Sequence, residues 1–183
     1  IATGELPEFA DRTYSYAGGI VGKCTKNMAI YDCSADDTGK VTASGTYTGG
    51  LVEVNEGRII DCKSGNMGMS SMSYIGGIVG LNKKGGAVES GSLNGKTVTG
   101  GSVVGGIVSD NYGTVDGGEI QVTGKVVGYG ENIGGIVGLS HSGAVVKNYR
   151  LAINVQGTGV NVGAGAGQNL GSFSNVKYTE GSF

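Results

Sequence analysis

Few side chains in this sequence are of a type that does chemistry, and fewer still stand at a spacing that would bring them together. Asp32 and Asp61 are 61−32 = 29 residues apart, with Glu89 or Asp116 further on and Arg58 nearby. On adjacent strands two such carboxylates would sit about 5 Å apart, close enough to raise one pKa or to hold a cation. The plainer reading is the solvated edge of a turn. His141 lies in "LSHSG" and reads as a solvated loop residue; it is the only histidine, so the His-Glu-x-x-His zinc signature is absent. No Gly-Gly-x-Gly-x-Asp calcium nonapeptide occurs. No glycine precedes a predicted helix, as a nucleophile elbow or phosphate loop would require. The sequence thus assigns no catalytic, cofactor-binding or metal-ligating residue, and it implies no cofactor.

The elements that would position these groups are set by repetition, because "GGIVG" occurs at Gly76 to Gly80 and again at Gly134 to Gly138. Near copies start at Gly18, Gly49 and Gly105, and a decayed one, "GAGAG", at Gly163. The steps are 49−18 = 31, 76−49 = 27, 105−76 = 29, 134−105 = 29 and 163−134 = 29. Six residues after each marker glycine come Cys24, Asn55, Asn82, Asn111, Ser140 and Asn169, and a glycine follows shortly in every copy but the first. Next comes a short apolar or β-prone piece such as "MAIYDC", "RIIDC" or "AVVKNY", then a third that leads into the next marker.

Asn and Gly tolerate positive φ, so Asn with Gly two or three residues later reads as a turn. The runs between are short and rich in Val, Ile, Thr and Tyr, the composition of strands. One unit cannot bury its apolar side chains alone, whereas stacking units buries a continuous core and pairs every edge. The expected fold is all-β: a parallel β-helix (β-solenoid), right-handed by the crossover rule, with three strands per coil of about 29 residues. About six coils at roughly 4.8 Å make a rod roughly 29 Å long. Each "GGIVG" reads as one strand of one coil, with paired glycines that turn a corner or pack closely. Which of Ile78 and Val79 points inward stays open, since a strand alternates faces.

Composition closes off other classes. Glycine is 39 of 183 residues without a three-residue period, and Pro7 is the single proline, so collagen is excluded. No apolar run approaches the roughly 18 residues of a membrane span, and a formal charge of −2 gives no basic face for nucleic acid. One domain spanning 1–183 is expected: an incomplete first coil or cap over 1–17, repeats over 18–171 and a terminal partial coil over 172–183. The opening "IATGELPEF" and the closing "TEGSF" read as a piece of a longer chain whose flanking domains cap the solenoid.

The register orders the remaining candidates. Cys33 and Cys62 are one period apart, 62−33 = 29, and are expected to stack as half-buried thiols; a disulfide is possible without being implied. Cys24 takes the position of the turn Asn. Thr46 with Thr48 and Thr97 with Thr99 resemble ice-binding Thr-x-Thr ladders, yet they lie 3 and 8 residues before their next markers (49−46 and 105−97) and are out of register. Tyr14, Tyr16, Tyr47 and Tyr74 fall in the third strand or its approach to the marker, where their rings would either stack on a sugar or lie on the sheet as ordinary strand residues.

The pattern Gly-Gly-Ile/Leu-Val-Gly, then Asn, then Gly and a β-branched residue, resembles the GLUG repeat, best in "GGIVGLNKKGGAV" at Gly76 to Val88 and over about residues 14 to 178. It departs from that pattern at Glu53, Ser109 and Ser140 and in the decayed sixth copy. GLUG repeats occur in large secreted or wall-anchored bacterial proteins, including adhesin-like proteins and non-catalytic regions of immunoglobulin A1 metallopeptidases. The resemblance implies an extracellular location on the bacterial cell surface. It also implies a non-catalytic stalk or adhesin segment, with a glycan or a host surface protein as partner and no nucleic acid or membrane insertion. The rival expectation is a carbohydrate-active parallel β-helix, a polysaccharide lyase or hydrolase, since such folds often host these enzymes.

Overall fold

The computed structural model describes residues 2–3, 18–35, 41–42, 46–64, 67–68 and 74–179. Tyr14, Tyr16 and most of the expected first coil or cap lie outside the described residues. Within them the chain forms 21 strands and no helix. Strands a repeat apart pair in parallel, and the coils stack into a β-solenoid with three long sheets. The first sheet holds Val21–Cys24, Val52–Asn55, Val79–Asn82, Val108–Asn111, Val137–Ser140 and Ala166–Asn169. Its six strands enclose five full turns. The second begins with Ala29–Tyr31, Arg58–Ile60 and Ala87–Glu89, and the third runs from Tyr47–Gly49 through Tyr74–Gly76 and Val103–Gly105 to Asn161–Gly163.

Each Gly-Gly-Ile-Val phrase is the corner between the third and first sheets, which corrects the expectation of a single strand. Tyr74–Gly76 ends on the first glycine and Val79–Asn82 starts on the valine. The Ile78 carbonyl accepts hydrogen bonds from both Leu51 N and Val52 N, at 3.1 and 2.9 Å, so the chain bends between those two residues. Across a bend the alternation of a strand fails. Ile78 and Val79 both point inward, each 0% exposed, as do Ile107 with Val108 and Ile136 with Val137. The marker glycine is fixed by space, since a Cβ on Gly76 or Gly105 would overlap the carbonyl oxygen of the valine three residues on.

The Asn six residues past the marker is not the expected positive-φ turn residue. It is buried and forms a ladder: Asn55 Nδ2 donates to Asn82 Oδ1 (2.9 Å), and Asn82 Nδ2 to Asn111 Oδ1 (2.8 Å). Asn55 and Asn111 also accept the N–H of Gly57 and Gly113. The ladder stops where serine replaces asparagine: Asn111 Nδ2 and Ser140 Oγ are both buried without partners. Positive φ recurs instead at one place of the second sheet, one residue past the Tyr31–Ile60–Glu89 position, at Asp32, Asp61, Ser90, Asn148 and Asn175, with Asn27, Asn94 and Glu119 elsewhere; Asp, Asn and Ser tolerate the left-handed region.

Between first and second sheet the turns alternate in length: 25–28, 83–86 and 141–144 have four residues, while 56–57, 112–113 and 170–171 have two. Each long turn closes with an i+3 to i hydrogen bond, Met28 N to Thr25 O, Gly86 N to Lys83 O and Ala144 N to His141 O. Long turns therefore stand out on every second coil and leave a notch over the short turn between them. In the later coils the second and third pieces merge into long strands, Thr114–Gly128 and Val145–Gly157, with a register shift between Asp116 and Ile120.

Candidate functional site

The expected carboxylate ladder separates into two columns. Asp32 and Asp61 occupy equivalent places on adjacent coils, one residue past the paired Tyr31 and Ile60, and both are exposed. They share their column with Ser90, Asn148 and Asn175, so backbone conformation explains the residue types without any chemistry. Glu89 and Asp116 lie opposite one another, one place away from Asp61. Glu89 is held by Arg58 through two hydrogen bonds, Nε to Oε1 at 2.9 Å and Nη2 to Oε2 at 2.8 Å. Asp116 accepts from Asn148 Nδ2 (2.9 Å) and Gly118 N (3.1 Å) and pairs with Lys147 (3.2 Å). Partial burial works against the Asp116 charge, but those three donors outweigh it and hold its carboxyl below the usual range. Every carboxylate of the second column thus already has a cation.

Cys24, Cys33 and Cys62 are free thiols. Cys62 is buried and Cys33 half-buried, and Cys24 stands opposite Asn55 at the head of the ladder. Burial pushes the thiols of Cys62 and Cys24 up, which keeps them protonated and inert. The Thr ladders are out of register: Thr48 pairs with Ile75, Thr97 with Lys125 and Thr99 with Val127. Among the described residues no three His, Cys, Asp or Glu side chains gather as metal ligands.

Side chains capable of recognition converge elsewhere. Lys23, Val54, Leu81, Asp110, Leu139 and Gln168 form one column of the first sheet. Asp110 breaks its aliphatic middle, and its residue is only 2% exposed. Both carboxylate oxygens are engaged: Tyr47 Oη donates to Oδ2 at 3.0 Å, and His141 Nε2 lies 2.7 Å from Oδ1. The His141 ring stacks on Tyr112, centroids 3.8 Å apart and 9° from parallel, while Tyr47 packs against Tyr74 at 4.9 Å. Burial pushes the Asp110 carboxyl above its usual range, against the opposing pull of His141 and Tyr47. Burial, together with the Asp110 charge, drives the Tyr47 hydroxyl well above its ordinary value.

His141 is therefore not the solvated loop residue that its local sequence suggests. It begins the long turn 141–144, which projects past the short turn holding Tyr112 and lays one ring on the other. Tyr47 and Tyr74 do adjoin, as their shared place in the repeat implies. Asp110 escaped the sequence reading, although a charged residue in line with Val54, Leu81 and Leu139 is a signal once the copies are aligned. With both oxygens committed to protein donors, Asp110 acts as a positioning residue that fixes the two rings.

Beside the cluster a groove of about 490 Å³ is lined by Lys26, Tyr47, Leu81, Lys83, Lys84 and Tyr112, with Glu56 in its wall. Its cations come from two long turns, 25–28 and 83–86, and Glu56 comes from the short turn between them. Glu56 bridges Lys83 at 2.9 Å and Lys23 at 3.1 Å, and the hydrogen bonds from Lys83 first and Lys23 second hold its carboxyl below the usual range. Such a groove is of the size that takes small ligands, roughly 300–1,000 Å³.

The fold places the chain among the parallel β-solenoids, a class that architecture defines and activity does not. No protein-family model, no curated protein and no solved structure matches it.

Proposed function

We propose that this chain is a non-catalytic extracellular repeat segment of a bacterial cell-surface protein, a stalk with an adhesive face, and that its ligand is a glycan. The observation that carries the reading is the groove walled by Tyr47 and Tyr112: Asp110 holds the Tyr47 hydroxyl directly and Tyr112 through the stacked His141. Pre-positioned aromatic faces with polar groups at the rim suit a sugar ring, which presents C–H bonds to the ring face and hydroxyls to its edge. The resemblance of the repeat to GLUG sequences supports the surface location. Large exposed apolar side chains gather in the first and last described coils, among them Ile20, Met28 and Tyr31 at one end and Val160, Leu170 and Tyr178 at the other. Those are the places where a stalk segment meets its neighbours in a longer chain.

Incubation of the purified protein with a panel of plant and host glycans tests this, scoring retained ligand and newly released reducing or unsaturated ends in the same samples. Retention without release is the expected outcome. Release that disappears in an Asp61→Asn variant would establish the carbohydrate-active rival instead.

A further inference from the structure

The charge of the groove points to its ligand more narrowly than its aromatic walls do. The chain as a whole carries a formal −2, yet the groove gathers three lysines against one carboxylate. Glu56 already engages Lys83 and Lys23. Lys26 and Lys84 have no ion pair among the described residues, and both sit on the rim. Lys26 and Lys84 belong to long turns two coils apart, which places them roughly 10 Å from each other along the rod axis. Leu81 lies on the coil of Lys84 and Tyr112 on the next coil, on the side of Lys84 away from Lys26; together they form the apolar wall of the groove, and Tyr112 is 41% exposed with His141 stacked against one face. An aromatic wall edged by ammonium groups that pair with no carboxylate among the described residues is complementary to a ring that bears an anion at its periphery.

We propose that this groove selects a carboxylated saccharide, a uronic or sialic acid unit, whose ring lies against Tyr112 and Leu81 while its carboxylate reaches Lys84, with Lys26 further along the rod attracting an adjoining acidic unit or adding longer-range charge. The inference rests on the glycan-binding reading and adds the ligand's charge to it. Lys83 contributes less than its neighbours because Glu56 holds it. The notch geometry accounts for the placement: only where two four-residue turns flank a two-residue turn do lysines from both stand over one hollow, and this happens once with lysine on both sides.

The test is a heteronuclear NMR titration of the intact protein with matched acidic and neutral probes. These are tetragalacturonate against its fully methyl-esterified form, and sialyllactose against lactose. At least one acid should shift the amide signals of Leu81, Lys84 and Tyr112, bind about tenfold more tightly than its neutral partner, and weaken as salt is raised. The double variant Lys26→Ala with Lys84→Ala should lose that preference while retaining the residual neutral binding; both side chains are exposed, so the fold is kept. Equal binding of acid and neutral partner would overturn the charge selection and leave the glycan reading standing. Acid binding that the double variant does not weaken, or that shifts signals only elsewhere, would overturn the site. If no saccharide of the wider panel binds at all, both readings fall.

Discussion

The column through Asn55, Asn82 and Asn111 and the column through Leu81, Asp110 and Leu139 run along the same strands, one residue apart. In the first, identity from coil to coil is the source of stability: Asn55 donates to Asn82 and Asn82 to Asn111, which only a repeated residue of fixed length can do. In the second, the break in identity creates the feature. An aliphatic position becomes Asp110, and rings from two distant parts of the chain close on it. A solenoid thus holds its coils together by sameness and acquires a local surface by exception, because a feature repeated along the whole rod is a scaffold and only a departure from it marks one place.

The sharpest way to break the first column's logic is at the corner that sets it. Gly105→Ala puts a Cβ into the Val108 carbonyl oxygen, with Gly138 N of the next coil close behind, and is expected to cost about 4 kcal/mol or more, or to prevent folding; denaturant unfolding reads this. Asn82→Ala is next: it breaks the bonds of Asn82 to Asn55, Asn111 and Thr114 O while Asn55 keeps Ala87 O and Asn111 keeps Gly113 N, and it is expected to cost about 1–3 kcal/mol in the same assay. Ser140→Asn runs the other way. It extends the ladder to the stranded Asn111 Nδ2 and is expected to stabilise by about 1 kcal/mol. If that variant is destabilised, length matching is not what holds the column.

The second column predicts smaller stability effects and a larger functional one. Asp110→Leu restores the aliphatic pattern and removes a buried carboxylate, so global stability should stay within about 1 kcal/mol of the parent, while the Tyr47, Tyr112 and His141 ring signals move. Its pH dependence has a definite sign. The Asp110 carboxyl is raised by burial, so its contribution to stability is present at low pH and is lost as pH rises through its folded pKa. The variant should therefore gain on the parent as pH climbs above the usual carboxylate range. Asp116 behaves oppositely: lowered by its partners, it stabilises above that range and loses its contribution as pH falls. Asp116→Asn should flatten the acid limb of unfolding, the smallest of these effects because the group is partly solvated.

Spacing of the marker glycines was enough to read the coil and the stacking, and it put Tyr47 and Tyr74 in the same part of the repeat, but their contact came only with the structure. Local features failed where they carry two meanings. Asn followed by Gly fits both a positive-φ turn and a buried rung capped by a glycine N–H, and only the stack distinguishes them. Ile78 and Val79 resisted assignment because alternation was assumed across a bend. His141 looked solvated because its partners are distant in sequence: Asp110 stands 31 residues before it, and Tyr47 reaches the same carboxylate from 63 residues away. The alternation of four- and two-residue turns was present in the sequence, hidden by counting from the glycine instead of from the Asn column.

The most direct measurement is to record the melting temperature and the tetragalacturonate and sialyllactose titrations on the same samples of parent and Asp110→Leu protein. A variant that melts within a few degrees of the parent, and binds an acid that the parent binds about tenfold more weakly, would place recognition in the exception and stability in the repeat. A variant that binds as the parent does, or that loses its cooperative unfolding, would contradict that division.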